Sequence, residues 1–174
     1  RPPESSKAPF AMLGVSETFN KALVKVAGAL AIKIGVLHVL TARSRVMSGN
    51  ASSGRPMAWE EDAKIADVAK SAFKVLLGAY GPTISTERLV GVVHNAVENE
   101  PFFLALGAAV AIAGNPPAWG ATALYAFCIG RFAHMAIFIT EVPESVKPYK
   151  AMLRAVPFLV GVFSMISLAG ASIA

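Results

Sequence analysis

Charged residues are scarce in this 174-residue sequence: Asp, Glu, Lys and Arg make up 16% of it, whereas 55% is hydrophobic. That balance is too apolar for an ordinary water-soluble domain. A helix needs roughly 20 mostly apolar residues to cross a bilayer, so the length allows about four spans. The sequence therefore predicts an all-α membrane protein, a bundle of four transmembrane helices forming a single domain over residues 1–174.

Other features that the sequence lacks exclude several classes of site. A single cysteine, Cys128, excludes a disulfide framework or a cysteine metal cluster within one chain. The three histidines do not have metal-ligand spacing, so we predict no metal site. No glycine-rich phosphate loop is present. The net charge is +5, but the Lys and Arg residues do not form a run with interleaved aromatics, which argues against nucleic-acid binding.

Apolar stretches separated by turn residues place the four spans. The first connection is long and contains an amphipathic pattern, which indicates a helix on the membrane surface. Most Lys and Arg residues fall on the side of the two long connections, so the positive-inside rule places that side toward cytosol, stroma or matrix. The start at Arg1 with a proline-rich stretch fits a processed, a trimmed or an incomplete N-terminus equally. The predicted helices cover residues 18–42, 86–113, 120–140 and 151–173, with loop 43–85 and its surface helix at 58–77.

Polar residues at helical spacing occur inside three of the predicted spans. A charged side chain at bilayer depth costs on the order of 2.5–3.5 kcal/mol and usually faces a bundle interior or a watery cavity. One hypothesis is an inward-facing site for an anionic polar ligand, in which Asn95 and Glu98 grip amino and amide groups. The other is that the residues only fasten the bundle, as a pair of Arg131 with Glu98 would. The polar residues concerned are Lys33 in the first helix and Arg45 just after it, Arg88, His94, Asn95 and Glu98 in the second, on or beside a stripe that also contains Gly91, and Arg131 and His134 in the third.

The second of these helices resembles the signature of a known family. Its residues Glu87-Arg88, Asn95, Glu98-Asn99 and Pro101-Phe102-Phe103 resemble the signature of the MAPEG family, the membrane-associated proteins of eicosanoid and glutathione metabolism. The branch it resembles is the microsomal glutathione transferase and prostaglandin E synthase group. Further likenesses are Ile32-Lys33 with Arg45, Arg131-x-x-His134 and Pro148-Tyr149-Lys150-Ala151.

The resemblance implies a homotrimer in the lipid bilayer with glutathione bound between neighbouring subunits. It further implies a glutathione-dependent transferase or peroxidase that acts on a lipophilic substrate through the thiolate. In that reading Lys150, with Lys147 as the alternative, takes the place of the catalytic cation that opens the fourth helix. The implied glutathione ligands are Arg45 of one subunit with Arg88, His94, Asn95, Glu98, Arg131 and His134.

Four departures from the family pattern leave the activity open. The family usually has a basic residue at Gly91, a histidine at Val93, an aspartate at Ala96 and a tyrosine at Phe138. These replacements favour an alternative, a catalytically degenerate structural subunit with this fold in a photosynthetic or respiratory membrane complex. We expect the membrane to be that of the endoplasmic reticulum or of a plastid or mitochondrion. A channel or carrier ranks last because no segment looks like a filter or a broken helix.

Overall fold

The computed structural model describes residues 8–48, 84–140 and 144–173, together with residues 67, 68 and 71. Within these residues the chain forms four α-helices and one short 3-10 helix. The surface helix predicted at 58–77 lies almost entirely outside the described residues, although residues 67, 68 and 71 are helical. The elements are α1 at Ala8–Ser48, α2 at Thr86–Ile112, α3 at Gly120–Ile139, the 3-10 helix at Glu144–Tyr149 and α4 at Lys150–Ile173.

Helix α1 is longer than the predicted helix 18–42, because it begins at Ala8 and continues through Arg43 and Arg45 to Ser48. The prediction ended the helix at residue 42, just before the two arginines. An arginine can end the part of a helix that lies inside the bilayer, but arginine is itself a good helix former and does not end the helix. At 1.5 Å per residue the 41 residues of α1 extend about 60 Å, roughly twice the hydrocarbon thickness. Helix α1 is therefore longer than the membrane span that it contains.

The start of α2 is attached to the end of α1. Ser85 caps α2, since its Oγ accepts a hydrogen bond of 3.3 Å from the backbone N–H of Arg88. The hydroxyl of Ser44 donates to the carbonyl of Ile84 at 3.1 Å and lies 2.6 Å from the hydroxyl of Thr86. These contacts set the depth of α2 relative to α1.

The interior contains two apolar clusters. The larger lies toward one end of the bundle and is built from Phe19, Ala22, Val26, Leu30, Phe103, Val110, Ala123, Leu124, Phe127 and Leu168. The smaller contains Leu37, Leu89 and Val92, with Met135, Phe138 and Ile139 packed against it. Both clusters draw on α1, α2 and α3. On each of these helices a buried charged residue lies between the two clusters, which defines a polar layer across the bundle.

Among the described residues, three helices are long and apolar enough to cross a membrane, over Ser16–Arg45, Gly120–Ile139 and Ser145–Ala171. Helix α2 packs against α1, α3 and α4, but the charges in its first half keep it out of that group. The protein is thus an integral membrane protein with the predicted four-helix bundle fold.

The buried charged layer and the candidate ligand site

One charged residue falls on the buried stripe of each of three helices. On α1 the buried positions 19, 22, 26, 30, 33, 37 and 41 follow steps of three and four, and position 33 is a lysine. On α2 the stripe at 89, 92, 96, 100, 103, 107 and 110 contains Glu100. Arg131 is the buried cation of α3. Lys33, Glu100 and Arg131 are 3%, 1% and 5% exposed, and together we call them the charged layer.

The carboxylate of Glu100 joins the two cations. Its Oε1 accepts hydrogen bonds from Lys33 Nζ and, at 3.3 Å, from Arg131 Nε. Its Oε2 is buried and has no hydrogen-bond partner among the described residues. The layer therefore holds two cations against one carboxylate, and it ties α1, α2 and α3 together.

Arg131 reaches beyond the charged layer to Asn95. Its Nη2 donates to the backbone carbonyl of Asn95 at 3.0 Å and to the side-chain Oδ1. Asn99 Nδ2 donates to the same backbone carbonyl at 2.8 Å. Because a guanidinium has donors only, the oxygen of the Asn95 amide must face Arg131. That orientation leaves Asn95 Nδ2 as a donor, so we expect Asn95 to bind an acceptor and not an amino group.

A second polar group lies where α3 meets α4. The guanidinium of Arg154 stacks over the Phe138 ring, with its carbon 4.6 Å from the ring centroid. The His134 ring lies 6.0 Å from Phe138 and 6.4 Å from Phe158. Arg131, Arg154 and Lys33 all interact electrostatically with His134. Positive charge thus predominates around this histidine.

Two of the positions at which this chain departs from the family pattern, Gly91 and Phe138, lie next to each other. A Cβ built on Gly91 would stand 3.4 Å from Cζ of Phe138. The apolar ring therefore occupies the space beside α2 into which a side chain at position 91 would project. The cation in contact with that ring comes from α4, as Arg154.

Two predicted ligands face outward, contrary to the expectation that the polar stripe of α2 faces the interior. The side chains of His94 and Glu98 are 75% and 57% exposed and lie 3.5 Å apart. The apolar stripe of α2 decides which face is buried, and this pair lies off that stripe. The proposed pairing of Arg131 with Glu98 is likewise wrong, because Arg131 pairs with Glu100.

The remaining predicted residues are spread along the bundle. Arg45 and Arg88 are half-buried and lie near the junction of α1 and α2. Asn95 and His134 are also half-buried and lie further along α2 and α3. Lys150 is the first residue of α4, and Lys147 is an exposed residue of the 3-10 helix. The structure therefore brings Arg131, Asn95 and His134 to one region of the interior. It leaves the others at the periphery of a single chain.

The sequence prediction omitted two residues of this region, Glu100 and Arg154. Glu100 carries a readable signal, because it occupies the phase of the apolar stripe of α2 just as Lys33 does on α1. Opposite charges in phase with two apolar stripes predict a buried pair. Arg154 lies four residues after Lys150, so it shares a face with it one turn further along α4.

A family model described as the MAPEG family matches residues 23–174. The match covers most of the chain and includes α1 from residue 23 and all of α2, α3 and α4. No curated protein and no solved structure matches the chain.

Proposed function

This chain belongs to the MAPEG family, and on that premise we propose that it is a membrane-bound, glutathione-dependent transferase or peroxidase acting on lipophilic substrates. Family membership supports a glutathione-related function in a membrane. The microsomal glutathione transferase and prostaglandin E synthase branch is the part of the family that its motifs resemble.

The observation that carries the proposal is the excess of positive charge around His134. Lys33, Arg131 and Arg154 interact with this residue, and Glu100 is the one carboxylate among the described residues that pairs with any of them. An excess of buried cations favours a bound anion, and a thiolate is stabilised by cations close to it. Glutathione supplies both carboxylates and a thiol.

The chemistry needs a cation near sulfur. Loss of the thiol proton to solvent leaves a thiolate, which attacks a lipophilic electrophile, forming a carbon–sulfur bond as the leaving group departs with its electron pair. With a hydroperoxide, two glutathione molecules are oxidised to the disulfide while the peroxide is reduced to an alcohol and water. Arg154 is in a better position than Lys150 to stabilise the thiolate, because it contacts the interior ring of Phe138 and interacts with His134.

The ligand would lie across the outward face of α2, covered by a neighbouring subunit of a homotrimer. Exposure of the His94 and Glu98 pair supports this arrangement, since charged groups facing lipid are expensive. Ser44 lies level with Thr86, so Arg45 and Glu98 differ in depth by about 18 Å along α2. The two side chains cover part of that distance, and a tripeptide, about 10 Å long when extended, covers the rest.

Glutathione binding by the detergent-purified chain tests the proposal. We expect saturable binding that Glu98→Ala and Arg131→Ala each weaken roughly 10- to 100-fold, the loss of one hydrogen bond to a charged group. Glu17→Ala is the matched control for Glu98→Ala, because Glu17 also forms an exposed pair with the residue one turn away, Lys21 at 2.5 Å. It should leave the affinity unchanged. Absence of binding by a preparation that remains trimeric would refute the proposal.

The contact between Gly91 and Phe138 favours a second candidate. It replaces two polar groups of the family pattern with apolar packing, as expected of a degenerate structural subunit in a photosynthetic or respiratory complex. That candidate predicts a single copy of the chain co-purifying with such a complex from native membranes. Recovery of a free homotrimer alone would contradict it.

A further inference from the structure

Glu100, like Lys33, belongs to the charged layer but not to the ligand set described above. It is 1% exposed, and both hydrogen bonds described for its side chain are to buried cations. Resting on the proposed glutathione function, we infer that Glu100 is a positioning residue that holds Arg131, and through it Asn95, in the orientation that binds the ligand.

The distribution of the Arg131 hydrogen bonds between Glu100 and Asn95 supports this role. The strongest arginine–carboxylate pairs are bidentate, with two parallel hydrogen bonds to one carboxylate. Here Arg131 donates only its Nε–H to Glu100, at 3.3 Å, and Glu100 Oε2 accepts no hydrogen bond from the described residues. The Nη2 group is directed to Asn95 instead. An arrangement that served only to fasten the helices would use both oxygens, whereas this one leaves the outer end of the guanidinium directed at the ligand-binding amide.

Charge explains why a carboxylate is needed for that orientation. Lys33 and Arg131 both contact Glu100 Oε1 and interact with each other unfavourably. Without the negative charge between them, the two cations repel at short range in a medium of low dielectric constant. This repulsion pushes the guanidinium of Arg131 away from Lys33, and Arg131 loses the position from which it orients Asn95.

The position of Ala96 agrees with this account. Ala96 and Glu100 are successive members of the buried stripe of α2, one turn apart. The family usually has an aspartate at the position of Ala96. This chain has its buried carboxylate one turn further along the same face of α2, at Glu100. Glu100 is a feature of this sequence and is additional to the motif positions that prompted the resemblance.

The test is a double-mutant cycle on glutathione affinity in the purified trimer that the proposed function expects. We expect Glu100→Gln to weaken binding roughly 10- to 100-fold, and Arg131→Ala to weaken it by a similar factor. If Glu100 acts through Arg131, adding Glu100→Gln to Arg131→Ala has no further effect. Glu17→Gln, the same substitution in an exposed ion pair, serves as control and should leave affinity unchanged. Multiplicative losses in the double variant, or an unchanged affinity in Glu100→Gln, would overturn the inference.

A second measurement separates this inference from the proposed function. In nitrogen-15 NMR spectra of the ligand-free protein, the Nε–H of Arg131, assigned by its loss in Arg131→Lys, should exchange slowly with water. Glu100→Gln should make that exchange fast, and exchange that remains slow would refute the positioning role even if glutathione does not bind. Should Glu100→Gln fail to fold, the same comparison is made in the Lys33→Met background, where one buried cation remains in place of two.

Discussion

Removing the charge of Glu100 should destabilise the bundle far more than removing the charge of Lys33. Glutamine has nearly the shape of glutamate, so Glu100→Gln changes charge with little change in packing. It leaves Lys33 and Arg131, which are 3% and 5% exposed, without their shared carboxylate. Breaking a buried pair by removing one partner costs about 3–5 kcal/mol in the free energy of unfolding.

Lys33→Met has a different consequence because the remaining charges balance. Glu100 and Arg131 stay paired at 3.3 Å, and the desolvation of one ammonium group is relieved. This relief offsets the lost hydrogen bond to Glu100. The net loss is the contact of Lys33 with Phe132, in which Nζ lies 5.7 Å from the ring centroid, worth about 0.5–1 kcal/mol. We therefore expect a gap of at least about 2 kcal/mol between the two variants, which is roughly 30-fold in the unfolding equilibrium.

Cys128 provides the assay. It is half-buried and interacts electrostatically with Lys33 and Glu100, so its thiol reports on opening of the charged layer. Purified variants are titrated with SDS in mixed micelles, and the unfolded fraction is read from the extent of thiol labelling in short pulses. The double variant Lys33→Met/Glu100→Gln should be more stable than Glu100→Gln alone. The reasoning is refuted if Lys33→Met is as damaging as Glu100→Gln, or if the double variant is the least stable.

Two further expectations follow from packing and from the site. A Cβ at Gly130 would lie 2.9 Å from the backbone carbonyl oxygen of Pro157, so Gly130→Ala should force α3 and α4 apart and lower the free energy of unfolding by about 1–3 kcal/mol. Gly28→Ala, where nothing lies within 4 Å, should instead raise it by about 0.5–1 kcal/mol, and equal effects in the SDS titration would contradict the close approach. At the site, Arg154→Met should reduce the ultraviolet thiolate absorbance of bound glutathione more than Lys150→Met does. An equal or reversed loss would return the role of catalytic cation to Lys150.

The burial pattern of α2 shows how far local sequence reasoning reached. The steps of three and four from Arg88 to Glu98 are real, and a helix covers all of them. Periodicity groups residues on one face, but it does not say which face a bundle buries. The apolar residues of the same helix decide that, and they select the stripe containing Glu100. Glu98 and His94 consequently face away from the chain's own core.

The position of Arg154 illustrates a second limit. The connection between α3 and α4 is long, so the sequence alone does not align the start of α4 with the family pattern. Only the packing of α4 against α3 brings its guanidinium over the ring of Phe138. A motif that places Lys150 at the start of α4 cannot indicate that the cation one turn later is the one in contact with the interior.

The sequence by itself determined that the chain is a four-helix membrane bundle and to which family it is similar, because apolar length and motif order are local properties. The tertiary structure decided which polar residues are partners. The pairing of Lys33, Glu100 and Arg131 depends on how three helices are rotated and at what depth they meet. The rotation and depth of each helix depend on contacts between apolar stripes that are far apart in sequence. They therefore cannot be read from the sequence of any single helix.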